Sequence, residues 1–440
     1  MLLRSGGKVR RIGIGVATLS VFASGVGVSF GTAKPATAAT ICKVAARPSK
    51  AALSSSVGVS AKQIRVGNIS IVSGPVPGLF QGAPYGVSAY FAYINSKGGV
   101  HGRKLVLDSY DDGFSGTQNQ SQTSAVVGRD LAMVGSFSLF DGYGCPVLAK
   151  NPAVPDVSVS LDPATNALPN AYSPQPLVPG AATAGYAYMK KLYPKAVGHV
   201  ANLVSNTDSA LAQWAGQKST MERLGYRFDY VRNVSPVETN FTTDVINMRN
   251  KGVQMVLLTD GDWQIFSALV KAMGQQHWRP KVMFSAGPVY DQHFIKAAGS
   301  GANGIWLAQG ASLYLGQDAK RIPAVATFDT WMRKTHPGFS PDLFTLYGWS
   351  SAALFVQALQ AAGNTPTRGK VLAALSRINK FSASGLLAPS NPAKKIPANC
   401  VVFAQIKNGN FVRSGPTSKS NLDCSQPYVT QRGTKLWVRP

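Results

Sequence analysis

Short β-branched runs alternate along the chain with stretches in which apolar residues recur at helical spacing. Residues 64–72 form the first run, and their apolar, β-branched composition predicts a buried strand. Between residues 87 and 94, four apolar side chains fall at i, i+3, i+4 and i+7, the stripe of a helix that lies on a sheet. Residues 104–107 have strand composition again, so the fold opens with a β-α-β unit.

The same alternation continues through most of the chain. Helical stripes recur in residues 209–224 and after Leu258. Further runs with strand composition are residues 131–135, 154–159, 198–204, 252–258, 281–285 and 304–308. Strands that alternate with helices of about 10–15 residues predict an α/β fold whose parallel sheets are covered by helices on both faces.

The length of the chain favours two lobes. Single cores stop growing near about 250–300 residues, and this chain has 440. The proline-rich interval 168–179 predicts the first crossing between the lobes. In open α/β sheets, ligands lie outside the carboxyl ends of strands. A site is therefore expected in the loops that follow Val72, Val134, Val159, Val204, Leu258 and Ser285.

The N-terminus has the order of a secretory signal. Basic residues precede an apolar stretch at 12–30, and small residues follow it. We expect residues 1–39 to be a signal peptide cleaved after Ala38 or Ala39, because interrupting glycines make the stretch a poor permanent membrane span. A twin-arginine signal and a lipid anchor at Cys42 are alternatives that the flanking residues match less well. The mature chain is expected to be secreted or periplasmic.

Four cysteines suit an oxidising compartment and allow three pairings. Cys400 and Cys424 flank a short segment with strand and turn signals, so we expect these two to pair, and Cys42 to pair with Cys145 by elimination. Metal binding is the rival interpretation, but the chain has no C-x-x-C and its five histidines are scattered without ligand spacing. No metal and no cofactor is expected.

The charge of the chain is strongly positive. The formal net charge is +25, and the mature chain is near +20 because residues 1–39 hold five basic and no acidic residues. Such a field attracts anionic surfaces. Since the basic residues are spread along the chain without a run of five like charges, they predict loose attraction to the anionic cell envelope and no nucleic-acid binding. A monomer is expected.

The sequence contains few residues or motifs suited to catalysis. Its only glutamates, Glu222 and Glu238, do not lie beside a second acid in a way that suggests general acid/base work. Beyond the expected signal peptide at residues 1–39, the sequence contains neither a G-x-S-x-G nucleophile elbow nor a phosphate loop. The expectation is a protein that is not an enzyme.

A glycine-rich segment carries a resemblance to a known family. Residues 94–105, Ile-Asn-Ser-Lys-Gly-Gly-Val-His-Gly-Arg-Lys-Leu, with Tyr-Asp-Asp-Gly at 110–113, resemble a signature of the type I periplasmic binding proteins, and of their branched-chain amino-acid-binding (leucine-binding) branch. The order of elements agrees over about residues 63–412. The resemblance implies two Rossmann-like lobes that close on a small solute and deliver it to an ABC-type permease.

The resemblance also implies how the chain divides. Three crossings would join lobe one to lobe two. The implied parts are an extended lead-in at 40–60, lobe one at 61–176 and 310–388, lobe two at 177–309 and 389–430, and a tail at 431–440. The same clamshell motion also serves ligand-sensing envelope proteins, so signalling stands as the alternative to transport.

Family members hold their ligand with hydroxyl and backbone N–H groups of lobe one and close with aromatic and acidic groups of lobe two. Carried onto this sequence, the resemblance and the strand ends indicate nine candidate contacts: Phe80, Ser138, Ser158, Ser160, Asp208, Ser209, Asp262, Trp263 and Tyr290. Asp262 is equally a candidate helix cap, and the aromatic residues are equally candidates for packing. Asp111 and Asp112 are expected to be structural.

This chain departs from the family where lobe two should supply a second tyrosine and a glutamate. Residues 260–263 and 286–290 stand at those two places. The ligand therefore stays open at this point: a small solute, with amino-acid-like molecules as one class.

Overall fold

The structure is a computed structural model that describes residues 42–44, 46–416 and 421–438, and only the backbone of Asp260. The predicted signal peptide and its cleavage site lie outside these residues. Within the described part of the chain, no helix is both long enough and apolar enough to cross a membrane.

Residues 50–172 build the first sheet and most of its helices. The strands are β1 (Gln63–Ser70), β2 (Lys104–Asp111), β3 (Met133–Val134), β4 (Asp156–Val157) and β5 (Ala171–Tyr172). The helices are α1 (Lys50–Leu53), α2 (Gly82–Asn95), α3 (Gly116–Arg129), α4 (Asp141–Lys150) and α5 (Pro163–Ala167). All pairings are parallel, in the order β2-β1-β3-β4-β5.

Residues 180–309 build the second sheet in the same manner. Its strands from this part of the chain are β7 (Val200–Ser205), β8 (Phe228–Val234), β9 (Met255–Asp260), β10 (Val282–Ser285) and β11 (Trp306–Gln309), and β6 (Gly180–Ala182) precedes them outside this sheet. The helices are α6 (Thr183–Leu192), α7 (Asp208–Arg223), α8 (Thr242–Asn250), α9 (Trp263–Gln275) and α10 (Gln292–Ala298), with 3-10 turns at Ala196–Gly198 and Gly299–Ala302.

The chain then returns to the first sheet, adds two strands to the second sheet and ends in a small third sheet. The helices α11 (Pro323–Thr335), α12 (Leu343–Ala361) and α13 (Arg368–Leu375) are followed by a 3-10 turn at Ala383–Gly385. The last strands are β12 (Val402–Lys407), β13 (Asn410–Gly415), β14 (Tyr428–Thr430) and β15 (Lys435–Leu436). Strands β12 and β13 join the second sheet antiparallel, giving β13-β12-β11-β10-β9-β7-β8, and β15-β14-β6 form a small third sheet.

A close helix crossing anchors the returning segment to the first sheet. Helix α12 packs on α2 and on strands β3 and β4. A Cβ atom at Gly86 would lie 2.0 Å from the Thr345 carbonyl oxygen, and one at Gly348 would lie 2.0 Å from that of Ala83. Glycine is required at both places because the two helix backbones touch there. The N-terminal end of α12 is thereby fixed beside the strand ends of lobe one.

The predicted α/β class, with parallel central sheets in two lobes, is confirmed, and so are both disulfides, Cys42–Cys145 and Cys400–Cys424. Two details differ from expectation. The lead-in is not extended throughout, because Ser49 caps the short helix α1, which packs on α13. The expected tail contains β15, which pairs with β14.

Candidate functional site

A cavity lies where the carboxyl ends of the two large sheets meet. Its volume is about 260 Å³. All six loops that the sequence indicated contribute to its wall, together with the first turn of α12. The lining residues are Leu79, Phe80, Phe137, Leu139, Leu161, Leu177, Ser205, Ser209, Ala210, Gln213, Gln217, Pro236, Thr259, Gly261, Asp262, Ile265, Ala286, Pro288, Leu343, Phe344 and Tyr347.

The wall supplied by lobe one is apolar and aromatic. The ring of Phe137 lies 4.7 Å from that of Phe80, 4.8 Å from that of Phe344 and 6.0 Å from that of Tyr347, measured between centroids. Phe80 and Phe137 are both buried. The contact with Phe80 is edge-on, that with Phe344 is tilted and that with Tyr347 is stacked, which are arrangements that aromatic rings prefer. Lobe one therefore presents a preformed hydrocarbon surface to any solute in the cavity.

The wall supplied by lobe two carries most of the polar groups. Ser205, Ser209, Gln213, Gln217 and Asp262 all line the cavity from this side. The Gln213 side-chain amide donates a hydrogen bond to the carbonyl oxygen of Leu161, at 3.5 Å between nitrogen and oxygen, and so reaches across to lobe one. The buried Oε1 atom of Gln217 has no hydrogen-bond partner. The cavity is thus amphipathic, with an apolar wall on lobe one and a more polar wall on lobe two.

Asp262 caps helix α9 and also lines the cavity. Its Oδ1 accepts the backbone N–H of Ile265 at 2.9 Å, which caps helix α9. The Gln264 amide nitrogen lies 3.2 Å from the same oxygen in the side-chain orientation that hydrogen bonding favours. Burial raises the pKa of Asp262 to about 6, with a further increase from the charge of Asp291. The carboxylate remains mostly ionised at neutral pH.

The three serines expected to contact the ligand face the interior of lobe one instead. Ser138 donates to an Asp112 carboxylate oxygen at 2.6 Å, and Ser160 donates to Asp141 at 2.6 Å. Ser158 accepts the backbone N–H of Ser136 at 3.1 Å. These serines line a separate internal cavity of about 20 Å³. Their hydroxyls form hydrogen bonds within the strand-end loops of lobe one and do not line the interlobe cavity.

Backbone alternation explains this placement. The segment 136–138 is extended and Phe137 pairs with Ser70, so successive side chains point to opposite sides. Ser136 and Ser138 therefore point inward, whereas Phe137 points into the interlobe cavity together with Leu139. Likewise, Ser160 lines the internal cavity, whereas its neighbour Leu161 lines the interlobe cavity. The period-2 pattern in the sequence was the signal that would have identified these apolar contacts.

Three other predicted contacts also lie away from the cavity. Asp208 is exposed in the first turn of α7, where a carboxylate favours the helix dipole. Trp263 stacks on His293, with 5.4 Å between ring centroids, beside a surface pocket of lobe two. Tyr290 is 1% exposed and donates a hydrogen bond to Gln317 within the core. Of the nine predicted residues, Phe80, Ser209 and Asp262 line the cavity.

Carboxylates of lobe one hold its strand-end loops in place through hydrogen bonds. Asp111 accepts the backbone N–H groups of Val72, Ser73 and Gly113 at 2.9–3.1 Å. Asp141 accepts the backbone N–H of Leu161 at 2.6 Å. Asp111 thus has the expected structural role. The structure places no three His, Cys, Asp or Glu side chains of the described segments so that they could hold a metal ion.

Comparison with known proteins agrees with this architecture. A model of the periplasmic binding protein family matches residues 63–410. A search of curated proteins gives no match. Among solved structures, the chain is similar to a fatty acid ABC transporter substrate-binding protein from Thermomonospora curvata, with a TM-score of 0.69 and 17% identity over 83% of this chain and 94% of that chain.

Two further solved structures show the same likeness of fold. One is a branched-chain amino acid ABC transporter protein from Thermus thermophilus with bound valine, with a TM-score of 0.68 and 18% identity over 81% of this chain and 96% of that chain. The other is a solute-binding protein from R. palustris in complex with benzoate, with a TM-score of 0.65 and 15% identity over 80% and 96%. Since the family model covers most of the chain, this protein belongs to the periplasmic binding protein family, which consists of solute-binding proteins and not of enzymes.

Proposed function

We propose that this chain is an extracytoplasmic solute-binding protein that captures a largely apolar small molecule between its lobes and delivers it to an ABC-type permease. The observation that carries the proposal is the amphipathic cavity at the carboxyl ends of both sheets. Two parallel sheets place their ligand-binding loops at these ends. The hydrogen bond from Gln213 to Leu161 links the two walls.

The size and walls of the cavity support a compact solute with an apolar body. A volume of about 260 Å³ suits a small solute, because ligand pockets commonly measure about 300–1,000 Å³. The solved structures with similar folds are named for a fatty acid transporter, valine and benzoate, and each of these solutes has an apolar part. The hydroxyls of Ser138, Ser158 and Ser160 face away from the cavity, which weakens the case for a free amino acid.

Other parts of the proposal come from the sequence. Lobe one would comprise residues 61–176 and 310–388, and lobe two 177–309 and 389–430. This division agrees with the return of α12 to the first sheet and of β12 to the second. Secretion through the N-terminal signal, a monomeric state and loose attraction to the anionic envelope belong to the same proposal.

A binding screen tests the function directly. The mature chain, freed of copurified ligand by unfolding and refolding, would be screened by thermal shift against fatty acids, aromatic acids, amines, amides and amino acids. A solute present at 100 times its Kd should stabilise the fold by about 2.7 kcal/mol. Small-angle scattering should then show closure. If no solute raises the melting temperature and none causes closure, the proposal is wrong.

A matched pair of variants locates the site. Phe137→Ala removes the ring at the centre of the lobe-one wall and should weaken binding of the identified solute at least tenfold, which corresponds to about 1.4 kcal/mol. Phe403→Ala is the control, because its ring is 3% exposed, compared with 4% for Phe137, and stacks on Tyr188 away from the cavity. It should lower stability and leave affinity unchanged. Equal affinities in both variants would place the binding site elsewhere.

A further inference from the structure

The described side chains of the interlobe cavity include one ionised group and no counter-charge for an anionic solute. Asp262 is the only carboxylate among them, and none is a lysine, arginine or histidine. A carboxylate solute in this cavity would therefore lie near a negative charge with no cation to offset it. Like charges in a site of low dielectric constant repel strongly, and burial of an unpaired charge is costly.

Two side chains of the lobe-two wall offer hydrogen-bond acceptors. The Oε1 atom of Gln217 is buried and has no hydrogen-bond partner, and Asp262 offers carboxylate oxygens. A buried acceptor without a donor costs about 1–3 kcal/mol. A solute with N–H or O–H donors would satisfy these oxygens, whereas a carboxylate would bring only more acceptors.

Helix N-termini are the remaining source of attraction for an anion. Helices α7 and α9 both begin beside the cavity, and their first turns are already capped. Thr207 accepts the backbone N–H of Ala210, and Asp262 accepts that of Ile265. Each cap satisfies one N–H group of its first turn, and at α9 it also places a negative charge at the dipole end where an anion would otherwise bind.

We propose that the solute has an apolar body and a head that donates hydrogen bonds, such as an ammonium or primary amide group, and that Asp262 with Gln217 selects against carboxylates. The apolar body lies on the wall formed by Phe80, Phe137 and Phe344, and the head points to lobe two. The inference rests on the proposed function, since it names the class of solute for the same cavity.

Two series of compounds that differ only in the head group test this selection. The probes are benzylamine, benzamide and benzoate, and octylamine, octanamide and octanoate, measured by isothermal titration calorimetry on the ligand-free mature chain. Each has about nine non-hydrogen atoms, a size in keeping with the small cavity. In each series, the amine or the amide should bind at least tenfold more tightly than the carboxylate.

Variants assign the selection to named residues. Asp262→Asn keeps the helix cap, because asparagine caps as well as aspartate, and removes the charge. It should weaken amine binding at least tenfold and strengthen carboxylate binding. Gln217→Leu should weaken binding of the amide. Asp229→Asn, in lobe two at a position paired with His199, is the control and should change none of these affinities.

The possible results separate this inference from the proposed function. If a carboxylate binds most tightly and Asp262→Asn leaves its affinity unchanged, the head-group selection is refuted, and the solute-binding function stands provided that Phe137→Ala weakens that binding. If none of the six probes binds while another solute does, the inferred solute class is also refuted. If no solute of any class causes closure, the proposed function fails first.

Discussion

Asp156 offers a quantitative test of how the interior of lobe one titrates. Asp156 is the first residue of β4, its side chain is 2% exposed, and its Oδ1 has no hydrogen-bond partner. Burial raises the pKa of Asp156 from 3.8 to about 6, against the opposing effects of the Ser158 hydroxyl and the Lys395 charge. We predict that Asp156→Asn flattens the pH dependence of folding stability.

The sign and the size follow from linkage between protonation and folding. Because the folded-state pKa lies above the unfolded value, the native state binds the proton more tightly. The associated stability is fully present below about pH 4 and is lost as the pH rises through about 6. The shift corresponds to about 3 kcal/mol in total, of which about 2 kcal/mol is lost between pH 4.5 and pH 7. The window ends below the pKa of Lys395, which burial lowers to about 8.

Urea unfolding of the parent and of Asp156→Asn at about pH 4.5 and pH 7 measures the effect. The parent should lose about 2 kcal/mol more free energy of unfolding over this range than the variant does. Asp329→Asn is the control, because Asp329 pairs with Arg333 on an accessible helix face and should leave the parent's pH dependence intact. The carboxyl carbon of Asp156, followed by NMR in the parent, gives its pKa directly. An unchanged pH dependence in Asp156→Asn, or a measured pKa near 4, would refute the reasoning.

Two further predictions concern the parts that hold the lobes in shape. Arg413→Ala should lower the free energy of unfolding by about 3–5 kcal/mol, because it leaves the 1% exposed carboxylate of Asp318 buried without its bidentate partner. Urea unfolding checks this, and a loss below about 1 kcal/mol would contradict it. Replacing Cys400 and Cys424 together by serine should lower the free energy of unfolding by about 3–4 kcal/mol. The disulfide restricts the unfolded chain by closing a loop with a sequence separation of 24, and its removal raises the conformational entropy of the unfolded state. Calorimetric affinity should stay unchanged, and weaker binding would show that the bridge supports the cavity.

Local patterns in the sequence were sufficient for many of the elements and for the edge of the sheet that forms the site. The β-branched run at residues 64–72 and the apolar stripe after it became β1 and α2, because side-chain periodicity reflects local backbone geometry and the burial of one face. The loops at strand ends could be identified because parallel strands share one edge. The disulfides could be paired because Cys400 and Cys424 flank a short segment, which left only one partner for Cys42.

The orientation of side chains within those loops required more than residue type. Ser138 was chosen because family members use hydroxyls after the third strand, yet it donates to Asp112, and its neighbour Phe137 forms the wall. Phe344, on α12, lies about 200 positions from Phe137 in the sequence, and only the return of the chain to lobe one brings the two rings together. No pattern within a short window contains that contact.

The sequence by itself therefore determined the α/β class and the edge of the sheets at which a solute would bind, and it indicated the pairing of the cysteines, because each depends on local periodicity or on spacing along the chain. The tertiary structure decided which loop side chains face the interlobe cavity, and it placed an aromatic wall opposite a polar wall that contains Asp262. Those properties arise from contacts between segments distant in sequence, and they are the ones that determine which solute the protein accepts.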